Sequence, residues 1–82
     1  MSKADKTFEK VLSGSADANL RFDDVCSLLE KLGFRLRIRS SHHIFTRPGI
    51  EVLIDLQPRH GKCKPYQVRQ IREVLTKFNI SL

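Results

Sequence analysis

A two-layer α+β fold is predicted by three features of this 82-residue chain. Residues 22–32 carry apolar side chains at helical spacing, residues 34–56 alternate as strands do, and residues 65–78 return to helical spacing. One helix, a three-stranded antiparallel meander and a second helix satisfy that pattern, with both helices on one face of the sheet. A short additional helix precedes them.

Taken in order, residues 4–13 form that first helix, with Phe8, Val11 and Leu12 expected on one side. Gly14, Ser15, Asp17 and Asn19 make a turn-rich joint, so residues 1–19 read as an N-terminal extension and residues 20–82 as the body. In the next helix Phe22, Val25, Leu28, Leu29 and Leu32 form one stripe. Asp23 and Asp24 suit the positive end of its dipole, Lys31 the negative end, and Gly33 a left-handed stop.

Phe34-Arg35-Leu36-Arg37-Ile38-Arg39 alternates without exception, so Phe34, Leu36 and Ile38 face the core and three arginines face away. Ser40-Ser41 turns the chain, and His42 to Arg47 returns as a strand whose parity is open, because Ile44 and Phe45 cannot both face inward. After the Pro48-Gly49 turn, Ile50, Val52, Ile54 and Leu56 face inward from a third strand. Residues 57–63 form a polar loop, with His60 as an exposed loop residue. Pro65 opens the last helix, with Val68, Ile71, Leu75 and Phe78 as its stripe and Lys64, Arg69 and Arg72 on its exposed side. Tyr66 is read as partly buried packing, with stacking on a base as the alternative.

A chain this short supports one modest core and no cofactor domain, so its chemistry must come from a few surface side chains. No apolar run is long enough to span a membrane, and the N-terminus lacks the apolar region of a signal peptide, so a cytoplasmic protein is expected. Cys26 and Cys63 form no Cys-x-x-Cys pair and are read as two reduced thiols; Lys62 and Lys64 could lower the pKa of Cys63, but with no general base placed beside it the thiol is read as incidental. Charge is divided unevenly. Residues 1–33 hold five bases and six acids, a net of −1, whereas residues 34–82 hold ten bases and three acids, a net of +7. A basic half of this kind attracts polyanions, nucleic acid above all. The plainer reading is solubilising charge, with Arg35, Arg37 and Arg39 guarding an exposed sheet.

Within the basic half, His42 and His43 sit at a strand–turn–strand junction between Arg39 and Arg47. A group that moves protons near neutral pH is thereby set among groups that hold phosphate. Adjacent strand residues face opposite ways, so the two histidines are not expected to serve one phosphate. His42, His43, His60 and Cys63 lack the spacing of a zinc site, so neither metal nor cofactor is expected.

Leu32-Gly33-Phe34, Ser40-Ser41-His42-His43-Ile44-Phe45, Pro48-Gly49 and Gly61-Lys62-Cys63-Lys64-Pro65-Tyr66-Gln67-Val68 together resemble the HicA family of toxins. The resemblance covers roughly residues 20–82. It implies a fold like the double-stranded-RNA-binding domain, whose element order is the one read above. It also implies metal-free cleavage of messenger RNA and a HicB-like antitoxin that masks the site. The free toxin is then expected to be a monomer that joins its antitoxin in a hetero-oligomer. The family's catalytic histidine, last in a Gly-Ser-(Asn/His)-His motif, falls on His43, with His42 at the variable place before it. One departure is plain: the motif's glycine is Ser40 here, a residue less suited to positive φ.

On this reading His43 is the general base, or the acid toward the leaving oxygen. Arg39, Ser41, His42, Arg47, Lys62 and Lys64 are the candidate substrate contacts, the two lysines because they precede a helix N-terminus. A non-catalytic RNA-binding module is the alternative. A pure protein-interaction domain is a third.

Overall fold

A computed structural model describes residues 2–82. Its elements run α1 (Lys3–Ser13), α2 (Phe22–Lys31), β1 (Arg35–Arg39), β2 (His42–Arg47), β3 (Ile50–Leu56) and α3 (Pro65–Lys77). The α2-β1-β2-β3-α3 order is the one the apolar periodicity predicts, and it is shared with double-stranded-RNA-binding domains. The strands form one antiparallel sheet in the order β1-β2-β3.

α1 starts at a capping box: the Ser2 hydroxyl accepts the Asp5 N–H while the Asp5 carboxylate accepts the Ser2 N–H. Its buried residues are Ala4, Thr7 and Val11, whereas Leu12 is 41% exposed. The expected stripe of Phe8, Val11 and Leu12 is thus rotated toward Ala4. The helix meets both α2 and α3, and spacing of three and four from Ala4 follows that double contact.

Arg72 also departs from its expected place on the exposed side of α3. Its guanidinium donates to both carboxylate oxygens of Asp17 at 3.0 Å and to the Val11 carbonyl at 2.9 Å. One arginine therefore ties the α1 terminus and the following turn to α3.

α2 ends as Gly33 predicts. Gly33 takes φ +93°, its N–H donates to the Glu30 carbonyl, and the Phe34 N–H reaches back to the Leu29 carbonyl. That pair of bonds is a Schellman stop, and it aims the chain directly into β1.

In β2 the open question of parity is decided by size. Phe45 is fully buried under the helices, and Ile44 turns to the open face of the sheet. Ile54 and Leu56 of β3 join Phe45 in a core with Val25, Leu28, Leu29, Val68, Ile71 and Leu75. β1 corrects the expectation of a half-buried strand: Phe34 just before it is buried, but Leu36 and Ile38 are 36% and 58% exposed. They point to the helix side as alternation requires, yet β1 is an edge, and the described helices leave Leu36 partly and Ile38 mostly exposed.

Candidate functional site

β2 alternation sends the two histidines to opposite faces of the sheet. His43 shares the helix side with Phe45 and lies between Ile38 of β1 and Leu56 of β3. Its ring meets Phe22, the first residue of α2, edge-on with centroids 4.8 Å apart. His43 is half-buried, and its Nδ1 is sealed from solvent without a hydrogen-bond partner among the described residues. Leaving a buried imidazole nitrogen unpaired costs about 1–3 kcal/mol, a cost more often found at working sites than in cores.

Around Phe22 the chain brings in the polar loop. The Phe22 N–H donates to the Gly61 carbonyl, the Cys63 N–H donates to the Leu20 carbonyl, and Arg21 bridges Lys62 through the backbone. Lys62 and Lys64 are therefore carried beside the start of α2, the same helix end that holds His43. Lys64 is the N-cap residue of α3, with Pro65 behind it and its backbone N–H donating to the Gln67 side chain. The chain thus brings Arg21, Lys62 and the N-terminus of α3 to the end of α2 whose first residue, Phe22, packs on His43. Tyr66, expected as packing, is 55% exposed at the start of α3, within cation–π range of Lys64 at 6.0 Å.

His42 stands on the open face and is firmly held. Its Nδ1 lies 2.9 and 3.0 Å from the two Asp55 carboxylate oxygens, and the Gln57 amide donates to its Nε2 at 3.2 Å. With a proton on Nδ1 the ring donates to Asp55 and its Nε2 accepts from Gln57, so one set of contacts orients the ring on the open face. The same Gln57 amide donates to the Ser41 hydroxyl at 3.0 Å, which ties the hairpin turn to the end of β3. Asp55 and Gln57 were not picked out from the sequence. Their signal was parity alone, because an inward Phe45 places Asp55, beside inward Ile54, on the His42 face.

Arg39 is exposed and pairs with His42 across the hairpin. Arg47 is elsewhere: it lies four residues along β2 from His43, about 13 Å at strand rise, with its Nε against Gly33. His43 and the backbone of the Lys62 loop both meet the start of α2, Arg39, Ser41 and His42 lie together at the hairpin, and Arg47 lies apart from both.

The cysteine expectation is corrected. Cys63 is buried, and desolvation pushes its thiol up to about 12 in place of the lowering expected from its lysine neighbours. Cys26 is likewise raised to about 12 by burial, and both thiols are free. His60 is exposed in its loop, as expected. Among the described residues, no three His, Cys, Asp or Glu side chains cluster as metal ligands would, and no helix is long and apolar enough to cross a membrane.

No curated protein and no solved structure matches the chain. The sequence pattern of the family described as "HicA toxin of bacterial toxin-antitoxin" matches residues 22–78, from the phenylalanine that packs on His43 to the end of α3. That span contains the whole sheet, both histidines and the lysine loop, and the chain belongs to the HicA toxin family of bacterial toxin–antitoxin systems.

Proposed function

We propose that this toxin is an endoribonuclease that cleaves messenger RNA in the cytoplasm without a metal, with His43 as its proton-transferring group. The observation that carries the reading is the asymmetry of the His43 ring. With Nδ1 sealed against the protein, Nε2 is the nitrogen that can exchange a proton with a substrate. RNA supplies its own nucleophile. Nε2 takes the proton of a 2′-hydroxyl, the oxygen attacks the adjacent phosphorus, and the bond to the leaving 5′-oxygen breaks. Lys62 and Lys64 would hold the phosphate and offset the charge that builds on its oxygens. With one histidine on this face, water or a substrate group completes the second proton transfer, and the enzyme is slow.

The partner that silences the toxin would be a HicB-like antitoxin, with the free toxin a monomer and the silenced form a hetero-oligomer. A second reading, a non-catalytic RNA-binding module, is favoured by one observation: the Asp55 carboxylate orients His42, whereas His43 has no such partner.

Induced expression in a growing bacterium separates the two. Growth arrest with fragmentation of messenger RNA, both absent for His43→Ala at equal protein level, is the expected result. Arrest without fragmentation, or fragmentation equal in the variant, overturns the ribonuclease reading.

A further inference from the structure

Among the described residues β1 has β2 as its sole strand neighbour, so its outer edge presents unpaired backbone N–H and C=O groups. Such an edge is a template for another strand, and proteins ordinarily blunt it with charge, proline, a bulge or a covering element. Here only one side is charged. Arg35, Arg37 and Arg39 line the open face, where a groove of about 570 Å³ runs beside them over Ile44 and Leu53. On the helix side, Leu36 is partly and Ile38 mostly exposed although their cross-strand partners Phe45 and His43 are buried or half-buried.

We propose that β1 is a docking edge for an extended acidic segment of a protein partner, added as a fourth strand. Alternation dictates the segment's pattern. Aspartate or glutamate falls beside the arginines, and the intervening positions carry branched apolar side chains over Leu36 and Ile38. Charge argues against a second copy of this chain, since antiparallel pairing about Arg37 would set Arg35 against Arg39. Chemistry argues against nucleic acid. All five phenylalanines lie in the core or against it, and His42, among the described residues the one aromatic ring on the open face, is held by Asp55 and Gln57 at the hairpin end. The length of β1 thus offers arginines and aliphatic side chains but no row of aromatic platforms for successive bases.

The inference gives a surface to the antitoxin named above and does not depend on what His43 does. It has a consequence for access, because Ile38 is the direct cross-strand neighbour of His43. An added strand would lie about 10 Å from His43 at sheet spacing and would close one approach to it.

Isotope-labelled protein is titrated with a peptide alternating glutamate and valine, with the same peptide carrying lysine for glutamate, and with oligouridylate. Backbone amide shifts and hydrogen exchange are followed. The acidic peptide should shift and protect residues 35–39, and Arg37→Glu and Ile38→Thr should each weaken it about tenfold. Both positions are exposed, and thermal melting confirms that the variants fold. Binding of the lysine peptide equal to that of the acidic one, binding indifferent to Arg37→Glu, or oligouridylate shifting β1 in the peptide's place each overturns the proposal. RNA cleavage is read separately: loss of cleavage in the parent with β1 docking intact counts against the ribonuclease reading alone.

Discussion

The ring of His43 meets the ring of Phe22 edge-on, with centroids 4.8 Å apart and planes at 86°. This contact joins the first residue of α2 to the middle strand, where His43 Nδ1 is sealed from solvent. Phe22 is itself 6% exposed and belongs to the core, so it acts as a wall that sets the imidazole's direction. Phe22→Leu preserves most of the packing, at a cost of about 1–2 kcal/mol. It should lower the cleavage rate about tenfold with little change in RNA affinity, because only the ring's orientation is loosened. Single-turnover rates beside binding curves provide the check.

His42 offers the opposite test. It has the partners usually sought around a catalytic histidine, an aspartate at 2.9 Å and an amide at 3.2 Å, but it faces away from Lys62 and Lys64. His42→Gln and Asp55→Asn should each hold cleavage within about threefold of the parent, against a loss of at least about a hundredfold for His43→Ala. If His42→Gln is as damaging as His43→Ala, proton transfer belongs to the Asp55–His42 pair.

Ser40 takes φ +55° at the first place of a two-residue hairpin turn between the paired residues Arg39 and His42. Left-handed backbone of this kind is strained for any side chain and easy for glycine. Ser40→Gly is expected to stabilise the fold by about 1 kcal/mol, since the released strain exceeds the entropy added to the unfolded chain. Denaturant midpoints at constant slope measure it, and a fall in stability would show that the serine side chain contributes more than its backbone costs.

The Asp17–Arg72 pair makes α1 sensitive to acid. The hydrogen bonds from Arg72 hold the Asp17 carboxyl below its usual 3.8. A carboxylate with a depressed folded-state pKa stabilises the fold above its unfolded pKa and loses that effect as pH falls through the folded value. Melting should therefore weaken below about pH 4, and Asp17→Asn should remove that part of the acid response. The variant should also cost roughly 1–2 kcal/mol at neutral pH, through loss of a paired charge on a partly buried arginine.

Much of this fold was legible because periodicity and stop signals agree: the α2 stripe, Gly33, the alternation of β1 and β3, and Pro65 all stand where the sequence puts them. Alternation names a side but not a cover, which is why Leu36 and Ile38 face the helix layer and are still partly exposed. The Phe8–Val11–Leu12 stripe misplaced Leu12 because α1 packs into the angle between two helices. Arg72 read as surface because a single long-range partner, Asp17, decides its place, and the lysines beside Cys63 suggested a lowered thiol pKa because sequence neighbours say nothing about burial. Opposite placement of the histidines followed from strand geometry once Phe45 was known to point inward. The Asp55 and Gln57 contacts with His42 did not, since they cross from one strand to the next.

The most direct test is cleavage of a long end-labelled RNA by the purified protein in EDTA, beside its folded His43→Ala variant. Fragments ending in 2′,3′-cyclic phosphate, formed by the parent and absent with the variant, are the predicted result. Equal cutting by both proteins, or cutting by the parent that EDTA abolishes, would contradict it.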